Sequence, residues 1–190
     1  CAGCSSATSS GAPGTGPAAV SAKPSSGADP TEVGPDGVTN IPRGSLQTQL
    51  DGLPKAALTP EEQAGLIWMR EEEKLARDVY TTLYDKWKTP IFNNIATAEQ
   101  THTDAVKALL DRYAIEDPAS GTATGSFINP DIQALYTNLV SQGDASPVAA
   151  LTVGATIEDL DIADLQARAT TTPDIALVYA NLEKGSRNHL

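Results

Sequence analysis

The sequence predicts an all-α protein: a four-helix bundle with one accessory short helix, preceded by a disordered tether. Three observations carry that expectation. Apolar residues recur at alternating spacings of three and four over several long segments, the period of an amphipathic helix. Thr59-Pro60, Ser146-Pro147 and Thr172-Pro173 each join a capping side chain to a proline suited to the first helical position. Residues 1–57 show no such periodicity and are rich in Gly, Ser, Ala, Pro and Thr.

Taken in order, that leading segment lacks the apolar surface needed to offset the entropy lost on ordering. The expected division is a tether over residues 1–57 and a helical domain over residues 58–190. The chain starts with Cys1 followed by small residues, and this N-terminus resembles a mature bacterial lipoprotein after signal-peptide removal. The resemblance implies a lipidated Cys1, a membrane as partner and a place in the cell envelope, on the periplasmic or extracytoplasmic face. More than one acyl chain gives stable anchoring. The competing reading is that the sequence simply begins at an arbitrary point. Cys1 and Cys4 are the only cysteines; a Cys-x-x-Cys pair in an unstructured leader has no helix behind it to tune a thiol, and no disulfide framework supports the fold.

The net charge is −11. Within the leader, Lys23, Arg43 and Lys55 nearly balance Asp29, Glu32, Asp36 and Asp51, so the acidity belongs to the helical domain. With no basic stripe, no nucleic-acid partner is expected. An acidic domain attracts cations, although acidity also serves solubility alone. No apolar run reaches the length of a membrane-spanning helix.

The first helix of the domain starts at Thr59, with Pro60 next and Glu62 three residues after the cap, a capping box. Leu66, Met69, Glu73, Ala76, Tyr80, Leu83 and Trp87 form its inward stripe, with a single acid among them. Helical phase puts Glu71 beside Lys74 and Asp78 on a wetter side. Glu72 shares a shoulder with Trp68, Leu75 and Val79. Glu73 is therefore the first choice for a buried carboxylate and Glu72 the alternative.

A second helix over 91–113 carries Phe92, Ile95, Glu99, His102, Val106, Leu109 and Tyr113 on one face. Residues three apart share a helix face, so Glu99 and His102 can bind one ion or two adjacent ions. A single histidine on an apolar face is ordinarily a hydrogen-bonded core residue; its pairing with a glutamate shifts the reading toward ligation.

The polar stretch 114–129 has the length of a crossover connection. A short helix over 130–141, with Ile132, Leu135, Tyr136 and Leu139 inward and Gly143 as its stop, is expected to cover one end of the bundle. The helix starting at Ser146-Pro147 runs to about Ala169, with Leu151, Gly154, Glu158, Asp161 and Leu165 inward. Glu158, Asp159, Asp161 and Asp164 also fit one solvated acidic face, and for Asp161 both readings stand. The last helix starts at Thr172-Pro173 and aligns Leu182, Ser186 and His189, while Glu183 is rotated away.

Glu73 with Ala76, Arg77 and Tyr80 resembles the Glu-x-x-Ala-Arg-x-x-Tyr of rubrerythrin-type proteins, and Glu99-Gln-Thr-His102 resembles their second-helix motif. Glu158-Asp-Leu-Asp161 is similar to the paired acids of their third metal-bearing helix. The runs MREEEKLARDVY, NIATAEQTHTDAV, VGATIEDLDIADL and GSRNHL together resemble the DUF2202 family of ferritin-like proteins, from about Leu58 onward. That resemblance implies a ferritin-like di-iron carboxylate bundle. Its template takes one Glu from each of two helices and a Glu-x-x-His from each of the others.

The implied metal residues are Glu73, Glu99 and His102 for one ion, and Glu158 and His189, with Asp161 in reserve, for the other. Glu99 and Glu158 are the candidate bridges. Ser186 stands where the template has a glutamate. Two iron ions are the expected cofactor and manganese the alternative; a homodimer is compatible with the sequence. The implied function is redox chemistry, either peroxide or oxygen reduction or ferrous-iron oxidation, or else metal handling. The competing function class is a metal-free or single-metal tethered module for binding or interaction in the envelope. No residue is singled out as a proton donor or acceptor.

Overall fold

The structure, a computed structural model, describes residues 31–34 and 38–190. The lipid anchor expected at Cys1 and residues 1–30 of the expected tether lie outside the described residues. Among those described, the chain forms β1 (Glu32–Val33), β2 (Thr39–Asn40), α1 (Arg43–Asp51), α2 (Pro60–Trp87), α3 (Pro90–Tyr113), α4 (Pro130–Gly143), α5 (Pro147–Ala167) and α6 (Pro173–His189). The fold is thus an all-α helical bundle with one two-residue antiparallel ladder, Glu32 opposite Asn40 and Val33 opposite Thr39.

Helices α2, α4 and α5 are capped by side chains, whereas Thr172, expected to cap α6, makes no cap hydrogen bond. Thr59 accepts from the Glu62 amide at 3.1 Å, and a Glu62 oxygen accepts from the Thr59 amide at 2.9 Å. Asn129 and Ser146 cap α4 and α5 with their side chains. All five helices α2 to α6 carry proline at the first position, where its missing N–H goes unmissed. The second Glu62 oxygen accepts from the Thr170 and Thr172 hydroxyls at 2.5 and 2.6 Å, tying the start of α2 to the α5–α6 connection.

Helices α2 and α6 each pack against both α3 and α5, and α4 lies on α2 and α5. The core divides into two apolar clusters. One gathers Val79, Leu83, Phe92, Ile95, Val153 and Ile157; the other gathers Leu66, Met69, Leu109, Leu165, Ile175 and Leu182. Helices α2, α3 and α5 pass from one cluster to the other, α6 joins the second alone, and the acids and histidines of the inward stripes fall between the clusters. The bundle is therefore apolar at both ends and ionisable in its middle layer.

Three expectations are corrected. The tether was expected to extend through residue 57, yet Val38, Ile41, Leu46 and Leu50 are buried in the core. The Ile41 amide donates to Thr101 Oγ1 at 2.9 Å, and Arg112 donates to the Leu53 carbonyl at 2.7 Å. A few apolar residues correctly spaced suffice to dock a short helix even where Gly and Pro dominate the average composition.

Second, Glu71, Lys74 and Asp78 are buried rather than wet. The 114–129 connection runs back along α2 and covers them. Lys74 pairs with Asp78 at 2.5 Å, donates to the Ala123 and Ser126 carbonyls, and sits 4.3 Å from the Phe127 ring centre. Glu71 accepts from the Ile128 and Asn129 amides, and Arg70 grips Asp117 at 2.8 Å. Third, Leu151 is 51% exposed; the inward line of α5 is Ala150, Val153, Gly154 and Ile157, leading to buried Glu158 and Asp161. Among the described residues no helix is long and apolar enough to cross a membrane.

Replacing Leu50 by Ala should lower the unfolding free energy by about 2–5 kcal/mol, read by chemical denaturation; unchanged stability would show that α1 is not part of the core. Glu62 is held down to about 2 by the threonine hydroxyls that donate to it, Thr170 first. Its folded carboxyl binds a proton less tightly than its unfolded one, so the stability it adds is complete above about pH 4.5 and is lost as pH falls toward 2. The melting-temperature gap between wild type and Glu62→Gln should accordingly narrow over that interval.

Candidate metal centre

The middle layer is built by helical register. Each of the four long helices brings polar or ionisable side chains to this layer: Glu73 on α2, Glu99 and His102 on α3, Glu158 and Asp161 on α5, Ser186 and His189 at the end of α6. Glu73, Glu99 and His102 bring one ligand atom each to within 4.8 Å of one another, and so do Glu99, Glu158 and His189. Glu99 belongs to both groups. One of its oxygens lies 3.1 Å from His102 Nδ1 and the other 2.9 Å from His189 Nδ1. Glu73 and Glu158 close the two sides, at 3.6 Å from His102 Nδ1 and 3.5 Å from His189 Nδ1. The imidazole rings stack with centres 5.4 Å apart and planes within 15°.

The hydrogen bonding of this layer is unlike that of the rest of the core. Neither ring nitrogen of His102 or His189 makes a hydrogen bond, and neither does Glu73 Oε1 or Asp161 Oδ1. The Nδ1 atoms touch carboxylate oxygens without the alignment that a shared proton requires. A buried polar atom without a partner costs about 1–3 kcal/mol, and native proteins rarely tolerate several together. Imidazole nitrogens and carboxylate oxygens converging on common points are a donor set for a divalent transition metal. The residues present therefore fit a pair of adjacent cations that share Glu99.

Charge within the layer is strongly coupled. Burial pushes the Glu73 carboxyl up to about 7, against the pull of His102. Burial opposes ionisation of Glu99 as well, but the two imidazoles overcome it and hold that carboxyl well below the usual carboxylate range. Burial disfavours a charged His189, yet Glu158 and Glu99 outweigh it and raise the ring to about 9. His102 is raised for the same reason by Glu99 and Glu73. These protons occupy the place of positive charge, and ligand groups give them up when a cation binds.

Supporting residues fix the orientation of the layer. The Tyr80 hydroxyl donates to Glu158 Oε1 at 2.6 Å and leaves Oε2 facing His189. A Cβ on Gly185 would collide with the His102 ring, and one on Gly154 would come within 3.1 Å of the Tyr80 hydroxyl. Gly185 was not singled out by sequence, although a glycine inside a helix one turn before a ligand-type histidine is an available signal.

Asp161 is buried in the same layer but joins neither convergent group. Ser186 Oγ donates to its Oδ2 at 2.6 Å, and burial together with the nearby Glu73 charge raises its carboxyl well above the ordinary aspartate range. Glu72, the alternative to Glu73, turns away and accepts from Trp68 Nε1 at 2.9 Å beside Asp164. Of the four-acid face on α5, Asp159 alone is exposed.

These features define a class: a helical bundle with a buried carboxylate and imidazole layer between two apolar clusters. The chain belongs to the DUF2202 family, whose model, described as an uncharacterized protein domain, matches residues 62–190. It is 59% identical over 143 residues to the uncharacterized protein MJ0754 of Methanocaldococcus jannaschii, spanning 74% of this chain and 77% of that protein. The crystal structure of hypothetical protein MJ0754 from Methanococcus jannaschii is similar with a TM-score of 0.71 and 61% identity, over 72% of this chain and 79% of that one.

Gly185→Ala should cost about 1–3 kcal/mol through overpacking against His102, measured by denaturation. A variant as stable as wild type would contradict the close approach of α6 to that ring.

Proposed function

We propose that this protein is a ferritin-like domain holding two divalent cations, iron with manganese as the alternative, and acting in redox chemistry or metal handling. The redox readings are reduction of peroxide or oxygen and oxidation of ferrous iron. The observation that carries the proposal is the set of buried imidazole nitrogens left without hydrogen bonds on either side of the shared Glu99. Support comes also from the distribution of ligand types: one Glu from α2, Glu-x-x-His from α3, Glu from α5 and His from α6. That follows the ferritin-like template at every position except Ser186.

Redox-active cations, when bound, supply the electron exchange with oxygen species that no side chain here performs alone. The protein's own part is positional. Glu99 holds both sides of the site at once, Glu73 and Glu158 flank it, and Tyr80 fixes which Glu158 oxygen faces inward. The two apolar clusters keep bulk water out of the layer. Ser186 leaves the α6 side one carboxylate short of the template, and its hydroxyl instead holds Asp161, which keeps a further acid in reserve. A lipidated Cys1 would set the domain at the extracytoplasmic face of a membrane, in the cell envelope.

Protein expressed in iron-supplemented medium should contain about two metal ions per chain, measured by elemental analysis. No bound metal after reconstitution with ferrous and manganous salts would overturn the proposal. Glu99→Ala should lose both ions while keeping its helical circular dichroism, because both sides depend on it, whereas His189→Ala should keep the ion held by Glu73, Glu99 and His102. Full occupancy in Glu99→Ala would show that the assignment is wrong.

A further inference from the structure

A cavity of about 360 Å³ opens beside the ionisable layer at one end of the bundle. Its walls are Ile91, Phe92 and Ile95 of α3 and Leu151 and Ala155 of α5, with Leu190 at the rim. Tyr80 and His189 also line it, and Gly154 leaves its α5 wall thin. Its lining includes no Asp, Glu, Lys or Arg. The Tyr80 hydroxyl is engaged with Glu158, which leaves the His189 imidazole as the polar side chain at the cavity without a hydrogen bond.

Three of the large apolar side chains exposed among the described residues, Ile91, Leu151 and Leu190, lie around this opening. Isolated exposed apolar residues need no explanation, but several around a concave opening mark a binding site. The volume falls at the small end of the range for organic-ligand pockets. Apart from the His189 imidazole, these walls offer an ion or peroxide no charged side chain, whereas a hydrocarbon or aromatic group would release water from them on entering.

We infer that this cavity binds a small uncharged apolar molecule, a hydrocarbon chain or aromatic ring, next to His189. The inference rests on the proposed function only for its consequence: bound there, the molecule lies beside the metal layer and is a candidate organic substrate or effector of it. Binding itself requires only the cavity.

The test uses toluene as probe and the full chain, metal-free and manganese-loaded, with metal content measured on each sample. In the metal-free protein, NMR titration should give saturable shifts confined to Ile91, Ile95, Leu151 and Ala155, and Ala155→Phe, which fills the cavity from an exposed position, should abolish them. In the manganese-loaded protein, bound toluene protons should relax faster than with zinc in its place.

Absence of saturable shifts, shifts centred elsewhere, or unaltered binding by Ala155→Phe in a folded variant would overturn the inference. Concentration-dependent self-association that perturbs the same residues without toluene would overturn it too, because a second copy would then be the occupant. Saturable toluene binding in a protein that takes up no metal would support the cavity and sink only the proposed function. Metal uptake without toluene binding would do the reverse.

Discussion

The structure is organised around the cost of burying Glu99 between two imidazoles. A carboxylate inside a protein persists only where positive charge or strong donors surround it, and Glu99 has His102 on one side and His189 on the other. Those rings in turn require Glu73 and Glu158. Five residues from four helices, two of them on α3, are thus committed to a single electrostatic unit, and the relative height of the helices is set by where that unit can close. A shift of one helical turn in any of them would carry a charge into an apolar cluster.

The rest of the molecule shows that this chain satisfies buried charge when nothing else is asked of it. Lys74 has Asp78 and two carbonyls; Glu71 has two backbone amides; Asp174 receives Tyr113 and Arg112. Apart from the hydroxyls of Thr39 and Thr103, the buried side-chain polar atoms left without hydrogen bonds among the described residues belong to Glu73, His102, Asp161 and His189. The contrast between paired charges around the layer and unpaired ones within it separates structural charge from ligand-type charge. Buried ion pairs alone are weak evidence for function, since they also occur as fold-specifying features.

Rigidity around the layer comes from elements with no ligand of their own. The 114–129 connection is clamped along α2 by Arg70, Glu71 and Lys74, and β2 and α1 lie against the α3 side of the bundle. Small residues matter as much as charged ones: Gly185 admits the His102 ring, and Gly154 admits the Tyr80 hydroxyl on its way to Glu158. Side chains held in place in this way would need little reorganisation to take up a cation.

The sequence by itself determined the helices α2 to α6 and put Glu73, Glu99 and Glu158 on inward stripes. Periodicity, capping boxes and proline positions are local signals, read within a few residues of the feature they specify. Hence Glu73 was separated from Glu72 by phase alone, and Glu99 with His102 stood out inside a clean apolar stripe. The docking of α1 was hidden by average composition, because Leu46 and Leu50 acquire meaning only against a partner surface. The burial of Lys74 and Asp78 depended on a connection more than forty residues away. The sharing of Glu99 between two histidines, the diversion of Asp161 to Ser186 and the cavity beside His189 were likewise decided by tertiary structure, since each is a distance between helices that no single-helix pattern contains.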